Sequence, residues 1–277
     1  MPASLPAKIG ALVTTALRFF PEAGPSPTAV KAGFRFGDKG THSSRTLMFE
    51  DLASLFASTA DEAIRETYAA AIIDQNCLHK PTVATRRHSN QRLGELYGLD
   101  RAYLLFRILR RVWNITESDK PLLALVAALA RDPLLMASAQ PIIGLPIGAE
   151  LQRSDVRDAL QKSVGERMND SVIDKVVRNV SSSWTQSGHL EGRTFKFRRS
   201  VTPSAPVIAF ALSLAHIAGF RGNELLSSGW IAVLDCTPAK AKGLALEAKR
   251  LGLIDFWATG EVVELGLERL EPALARG

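Results

Sequence analysis

The residues best suited to chemistry lie on a polar segment from Thr82 to Tyr97 that has helical spacing. One side of this segment is apolar through Leu93 and Leu96, and the other side is basic and rich in hydroxyl groups. Arginine can bind guanine through two hydrogen bonds, asparagine can bind adenine, and hydroxyl groups and lysine can bind phosphate oxygens. The pattern therefore favours nucleic-acid recognition, although a solvated amphipathic helix without a ligand would look the same. The predicted contacts are Lys80, Thr82, Thr85, Arg86, Arg87 and Asn90.

The flanking residues indicate how this segment is presented. Asp61 to Asp74 has helical spacing, with acidic residues in its first turn as the helix dipole prefers. Gln75 to Lys80 interrupts the spacing, Pro81 stands where the first turn of a helix tolerates proline, and Gly98 is a C-terminal cap. The sequence therefore predicts a helix, a short turn and a second helix, as in a helix-turn-helix unit.

A second candidate surface follows the predicted helix Asp170 to Ser187. Residues Arg193 to Arg199 alternate in the manner of a half-buried strand, with Phe195 and Phe197 on the inner side. Between Asp170 and Thr202 six positive residues stand against three negative ones, a surplus of +3. Helices followed by a basic strand are typical of a winged helix, although a solvated basic face is the alternative. The residues predicted to follow a DNA backbone are Arg193, Lys196, Arg198 and Arg199.

The last part of the chain repeats this order of elements. A short helix near Trp230 to Leu234 and a helix from Ala239 to Leu251 precede two strands. The strands, Leu253 to Ala258 and Glu261 to Leu267, flank a glycine-containing turn and predict a hairpin. Because Glu261 and Glu264 make this second wing acidic, it favours packing or partner binding over DNA contact.

Composition sets the fold class. The chain has 277 residues, 46% of them hydrophobic, and a formal net charge of +6, so it can bury a real core and favours polyanionic partners. We predict a mainly α fold, a helical bundle with helix-turn-helix and winged-helix-like units and small β-hairpin wings. The expected division is an N-terminal helix, Ile9 to Phe20, and a proline-rich linker (1–32), a helical domain with the helix-turn-helix (33–147), and a winged-helix-like C-terminal region (148–277).

Motifs for other functions are missing from the sequence. Gly37 to Thr41 lacks the spacing of a phosphate-binding loop, and the five histidines have no metal-ligand spacing. Cys77 and Cys236 form no C-x-x-C pair, which indicates a reducing cytoplasm. The apolar stretches 121–130 and 205–220 are short for a membrane span and indicate core helices. We expect no catalytic residue, metal or cofactor, and keep a hydrolase as a third reading.

The stretch Ile72 to Asp100 resembles the BrxA proteins of BREX phage-defence systems. The resemblance is carried by the turn Asn76 to Leu78, the helix start Thr82 to Arg87 and the later helix end Ser187 to Leu190. It covers roughly Gly33 to Val201, so the proline-rich N-terminal segment and the block Asn223 to Leu270 lie outside it. It implies a small, largely helical, non-catalytic DNA-binding protein that works beside a methyltransferase, an ATPase and other defence components.

The function expected from these observations is duplex DNA binding, mainly through phosphate contacts, in a BREX-like bacterial defence system. The expected partners are double-stranded DNA and other defence-system proteins, with no membrane. A homodimer would supply two half-sites, and the two internal units are the alternative to it. A rival hypothesis is a helical assembly or adaptor protein that docks onto a larger enzyme without binding DNA. Exposed apolar surface at Ala205 to Phe220 or at Phe256 and Trp257 would favour the adaptor.

Overall fold

The computed structural model describes residues 16–37, 40–116, 118–260 and 262–272. In this part the chain is mainly helical and carries two small antiparallel hairpins, which confirms the predicted fold class. The predicted helix Ile9 to Phe20 lies outside the described residues up to Thr15, and residues 16–20 are not helical. The proline-rich linker is shorter than predicted, because a helix begins at Pro27.

The first half of the chain is built around apolar helices. Every residue from Leu122 to Leu129 is buried, so that helix occupies the centre of the packing. The elements are α1 (Pro27–Ala32), a 3-10 turn (Thr41–Ser43), α2 (Phe49–Ala57), α3 (Arg65–Ile73), α4 (Val83–Tyr97), α5 (Leu104–Trp113), α6 (Lys120–Leu129), α7 (Pro133–Ala137) and α8 (Ala139–Ile143).

The predicted polar helix is confirmed as α4, and its sequence explains where it starts. The Thr82 hydroxyl accepts a hydrogen bond from the Thr85 backbone N–H, and the Thr85 hydroxyl accepts one from the Thr82 N–H. This reciprocal capping box satisfies two backbone donors that a helix start leaves unpaired. The connection from α3 runs over residues 74–82, slightly longer than the predicted turn from Gln75 and longer than the three or four residues of a helix-turn-helix. Helix α3 begins at Arg65, four residues after the predicted start at Asp61.

The middle of the chain has the element order of a winged helix. After α7 and α8, Glu150 forms an isolated bridge with Phe197, and α9 and α10 lead into a two-stranded hairpin. Helices α9 and α10 pack against each other, and α9 also packs against α7 and α8. The bounds are α9 (Arg153–Val164), α10 (Asp170–Gln186), β1 (Leu190–Glu191) and β2 (Phe197–Arg198).

The C-terminal part repeats that order around one apolar helix. Helix α11 is buried almost all round and contacts the three helices that follow it. Thr259 pairs with Val262, so the hairpin predicted here is confirmed, with its turn one residue later than predicted. The bounds are α11 (Ala205–Ala218), α12 (Glu224–Ser227), α13 (Gly229–Ala232), α14 (Pro238–Arg250), β3 (Asp255–Thr259) and β4 (Val262–Gly266).

Two buried side chains join the first winged unit to the C-terminal part. Arg198 forms an ion pair with Asp235 and donates to the carbonyl oxygen of Ile142 at 3.0 Å. His189 Nε2 lies 2.7 Å from the carbonyl oxygen of Val233. These contacts fix the base of the β1–β2 hairpin against the chain that follows α13.

Among the described residues, no single helix has both the length and the apolar character needed to cross a membrane. One pair of helices, Lys120–Leu129 and Pro133–Ile143, meets that requirement jointly, but a bend of 101° separates its two members.

Stability should fall in mild acid because of His189. Burial, together with the nearby charge of Arg198, lowers the pKa of His189 to about 4. The unfolded chain takes up this proton near pH 6.5 and the folded chain does not, so the stability is fully present above about 6.5 and is lost as the pH falls towards 4. Lowering the pH from 7 to 5 should reduce the free energy of unfolding by about 2 kcal/mol through His189.

Urea unfolding across this range measures the effect. His189→Gln should flatten the pH profile, in part only, because burial also lowers the pKa of His216 to about 4. An identical slope in the wild type and the variant would contradict the assignment to His189.

Candidate nucleic-acid interface

A groove between α10 and the wing, which is residues 192–196 between β1 and β2, collects basic side chains. It has a volume of about 400 Å³ and is lined by Arg153, Arg178, Arg193 and Lys196. Its remaining polar lining consists of hydroxyl groups, and none of its lining residues is a carboxylate. The groove therefore concentrates positive charge beside small neutral donors, which suits the phosphate backbone of a nucleic acid. The hydroxyl groups belong to Ser181, Ser182 and Thr194.

Helix α10 presents Arg178 because its other faces are occupied. The side chain of Asn169 accepts a hydrogen bond from the Val172 N–H at 3.0 Å and caps the helix start. The apolar face, with Val180 and Trp184 among its residues, is buried in the core. Arg178 and Lys175 remain exposed on the opposite side.

Acidic residues on α10 do not cancel this charge in the groove. Arg157 of α9 forms ion pairs with both Asp170 and Asp174. The two carboxylates are therefore engaged by α9 at the N-terminal end of α10, and Arg178 forms no ion pair within the described residues.

The wing is held to α10 by Lys196. Its ammonium group donates to the Thr185 hydroxyl at 2.8 Å and to the Gly192 carbonyl oxygen at 3.1 Å, and burial lowers its pKa. Gly192 has a φ of 99°, and a Cβ there would lie 2.0 Å from the Phe195 carbonyl oxygen. Glycine is therefore required for the tight turn that brings Arg193 beside the helix.

Arg198 corrects the predicted contact surface. Arg198 is 1% exposed and paired with Asp235, whereas Phe195 is 64% exposed. The predicted alternation is thus reversed: the phenylalanines point outward and the arginine points inward, because Asp235 and backbone carbonyls satisfy the guanidinium. Arg198 cannot contact DNA in this fold. Arg199 remains exposed, 3.5 Å from Glu191.

On α4, most of the predicted contacts already have partners in the protein. Lys80 forms an ion pair with Asp51 at 2.7 Å. Arg86 donates to the carbonyl oxygens of Ile73 and Lys80 and braces the turn before the helix. The two threonine hydroxyls form the helix cap described above.

The last two predicted contacts on α4, Asn90 and Arg87, differ in whether they have a partner in the protein. The side-chain oxygen of Asn90 accepts a hydrogen bond from Arg65 at 2.8 Å, which orients that amide within the protein. Arg87 is exposed and has no ion pair within the described part of the chain. Of the six predicted contacts on this unit, Arg87 is therefore the one whose charge faces solvent unpaired.

A second groove lies between the start of α4 and the C-terminal end of α10. It has a volume of about 480 Å³, and Gln186 of α10 lines it with Arg45, Lys80 and Thr85. Glu50 and Asp51 also line it, so its charge is mixed. It extends the polar surface from α10 towards α4 but attracts a polyanion less strongly than the α10–wing groove.

Sequence reasoning missed two members of the α10–wing groove as contacts. Arg153 begins α9 and Arg178 lies mid-helix, and neither stands in a motif. Arg178 contributed to the charge surplus found in the sequence, which was the available signal. The face on which it lies became visible only once the burial of the neighbouring residues was known.

A serine, a histidine and an aspartate form a hydrogen-bond chain that the sequence did not reveal. His42 Nδ1 lies 2.8 Å from the Asp132 carboxylate, and His42 Nε2 lies 2.8 Å from the Ser183 hydroxyl. The connectivity is that of a hydrolytic triad. Burial alone would raise the pKa of Asp132, but the charge and hydrogen bonds of His42 outweigh it, so the pKa is lowered.

The burial of the Asp132–His42–Ser183 hydrogen-bond chain indicates a structural role rather than nucleophilic attack. Ser183 and His42 are fully buried, so no substrate reaches the hydroxyl. The Ser183 hydroxyl donates to the Asn179 carbonyl oxygen and accepts from the Leu47 N–H, which ties residues 42–47 to α10. Among the described residues no cluster of three or more histidine, cysteine or acidic side chains could hold a metal ion.

We expect Ser183→Ala to lower the free energy of unfolding by about 1–3 kcal/mol, because it leaves the Leu47 N–H and the Nε2 of His42 without a buried partner. Ser182→Ala is the matched control, since this neighbouring serine is only half buried. Urea unfolding measures both variants. Equal stability of Ser183→Ala and wild type would contradict the structural role.

The sequence matches no known family model, and no curated protein matches it either. The interpretation of the groove therefore rests on its own geometry: four basic side chains on one winged unit, with hydroxyl groups and no carboxylate between them.

Proposed function

We propose that this protein binds duplex DNA without catalysis, and that the α10–wing groove contacts the phosphate backbone. The observation that carries the proposal is the convergence of Arg153, Arg178, Arg193 and Lys196 in a groove without carboxylates. These side chains come from three separate elements, so the fold rather than the local sequence assembles them.

The chemistry of the groove favours phosphate contact over base reading. Guanidinium groups bind phosphate oxygens through paired hydrogen bonds, and the serine and threonine hydroxyls add neutral donors. In a winged helix the helix before the hairpin approaches a groove of the duplex, and the wing lies along the backbone. The exposed ring of Phe195 gives this wing an apolar contact beside its charges.

The resemblance to BrxA proteins supports a biological setting for this activity. We propose that the DNA-binding protein acts in a BREX-like phage-defence system, with other defence proteins as partners. In that setting, phosphate-directed binding would hold the protein on DNA of many sequences while partner proteins supply the chemistry.

An adaptor function is the second candidate, and one observation favours it. Trp257 is 50% exposed on the outer face of the β3–β4 hairpin, and Val262 of the next strand is also exposed. Lys249 lies over the Trp257 ring at 4.4 Å from its centre. The other surface expected of an adaptor, Ala205 to Phe220, is buried almost throughout, and Phe256 is buried as well, so of the predicted adaptor positions only Trp257 is exposed.

Fluorescence anisotropy with a labelled duplex tests the DNA proposal. The double variant Arg178→Ala with Arg193→Ala should bind at least about tenfold more weakly, because it loses two charge-assisted contacts. The slope of log affinity against log salt should fall by about 0.9 for each lost contact, for every duplex sequence. The matched control is Lys162→Ala with Arg111→Ala, two exposed positions outside the groove.

An equal loss in the control would show that only net charge matters. Undiminished duplex binding by the groove variant would contradict the proposed interface. Failure of the wild type to bind any duplex at low salt would favour the adaptor.

A further inference from the structure

A second basic cavity lies at the C-terminal end of α4, lined by none of the residues that line the α10–wing groove. It has a volume of about 550 Å³, within the range of small-molecule sites. Three arginines line it: Arg35, which follows α1, Arg65 of α3 and Arg131, which follows α6. Neither the sequence motifs nor the proposed DNA binding uses these residues.

The deepest of the three is Arg131, which is 5% exposed. It donates to the carbonyl oxygens of Glu95 at 3.0 Å, Gly94 at 3.3 Å and Gly33. Burial, with the neighbouring charge of Arg35, lowers the pKa of Arg131 to about 10, so the group stays charged near neutral pH. Capping of the α4 carbonyls explains the bonds to Glu95 and Gly94, and the bond to Gly33 ties the end of α1 to them, but neither explains the convergence of two further arginines.

Those further arginines use few of their donors. Arg35 donates to the Glu95 carbonyl oxygen at 3.1 Å, and Arg65 donates to the Asn90 side chain at 2.8 Å. A guanidinium has five N–H donors, so most of theirs have no acceptor within the described residues.

The carboxylates of the cavity do not neutralise these charges. Glu95 and Asp100 line the cavity, but the Glu95 carboxylate is bound by Arg92 at 2.8 Å and by Thr41 at 2.9 Å. Burial alone would raise the pKa of Glu95, but those hydrogen bonds outweigh it and lower the pKa. Asp100 accepts from the Ala102 N–H at 2.8 Å. None of the three arginines forms an ion pair with a carboxylate in the described part of the chain.

Gly98 allows the close approach of the Tyr103 ring to this end of α4. A Cβ on Gly98 would lie 3.2 Å from the Tyr103 ring and 3.7 Å from the Arg131 guanidinium carbon, and the φ of Gly98 is 89°. The ring of Tyr103 packs 5.2 Å from the Arg131 guanidinium and, with Phe34, gives the cavity an aromatic wall.

We propose that this cavity binds a phosphomonoester, with Arg35, Arg65 and Arg131 around the phosphate and the aromatic wall against its organic part. A phosphate dianion would offset the repulsion between Arg35 and Arg131. Its oxygens would also accept hydrogen bonds from the guanidinium N–H groups that have no acceptor in the protein. Planar guanidinium groups suit the tetrahedral oxygens of phosphate, and the volume leaves room for a group as large as a nucleoside.

Isothermal titration calorimetry tests this proposal with adenosine monophosphate, adenosine and inorganic phosphate as separate probes. The wild type should bind adenosine monophosphate saturably and adenosine without measurable heat. Arg35→Gln and Arg65→Gln should each weaken adenosine monophosphate binding at least about tenfold, whereas Arg111→Gln, a distant exposed control, should not. These two positions are only half buried, so the test does not depend on a variant of the buried Arg131.

Absence of binding of either phosphate-bearing probe to the wild type would overturn the proposal. Equal weakening by Arg111→Gln would also overturn it, since binding would then follow net charge. The groove variant Arg178→Ala with Arg193→Ala should keep its affinity for adenosine monophosphate. A wild type that binds adenosine monophosphate but no duplex would therefore reject the DNA proposal and leave the cavity assignment intact.

Discussion

The buried hydrogen-bond chain from Asp132 through His42 to Ser183 determines which surface of α10 is free. Asp132 caps α7 by accepting from Leu134 and Leu135, and it also accepts from the His42 backbone. A Cβ on Gly40 would lie 2.2 Å from the Asp132 carboxylate, so only glycine allows this approach. The Ser183 hydroxyl donates to the Asn179 carbonyl oxygen and lies 2.8 Å from His42 Nε2, so the chain ends on α10. The segment after Gly40 thus covers one flank of α10, the core covers another, and the remaining face carries Lys175 and Arg178.

The wing is fixed by a second set of buried polar contacts, and together the two sets create the groove. Arg198 and His189 tie the ends of the β1–β2 hairpin to Asp235 and Val233. Lys196 then joins the wing to Thr185 of α10. Groups that would be costly to bury alone are paired with each other, and Arg153, Arg178 and Arg193, which form no ion pair within the described residues, line one groove. The basic residues of the hairpin therefore have different roles. Arg198 is structural, whereas Arg193 is available to a ligand.

Local sequence signals predicted the positions of the helices well. The roles of the charged residues depended on partners that are distant in the sequence. Caps and periodicity located α4, α10 and the β3–β4 hairpin within a few residues, because those signals act over one turn. The roles of charged residues were harder to predict: Arg198 finds Asp235, which lies 37 residues away, and Lys80 finds Asp51, 29 residues away. His42 and Ser183 are 141 residues apart, so no spacing motif could join them. Only a fold can show whether a basic side chain faces a carboxylate or solvent.

The central claim is that the α10–wing groove holds the backbone of a duplex. Hydrogen exchange with and without a saturating duplex tests it most directly, because the amides of the wing, residues 192–196, lie outside helices and strands. The account predicts that DNA slows exchange in this wing and leaves residues 255–266 of the second hairpin unchanged. Slowed exchange confined to the second hairpin or to α4, with the wing unaffected, would contradict it.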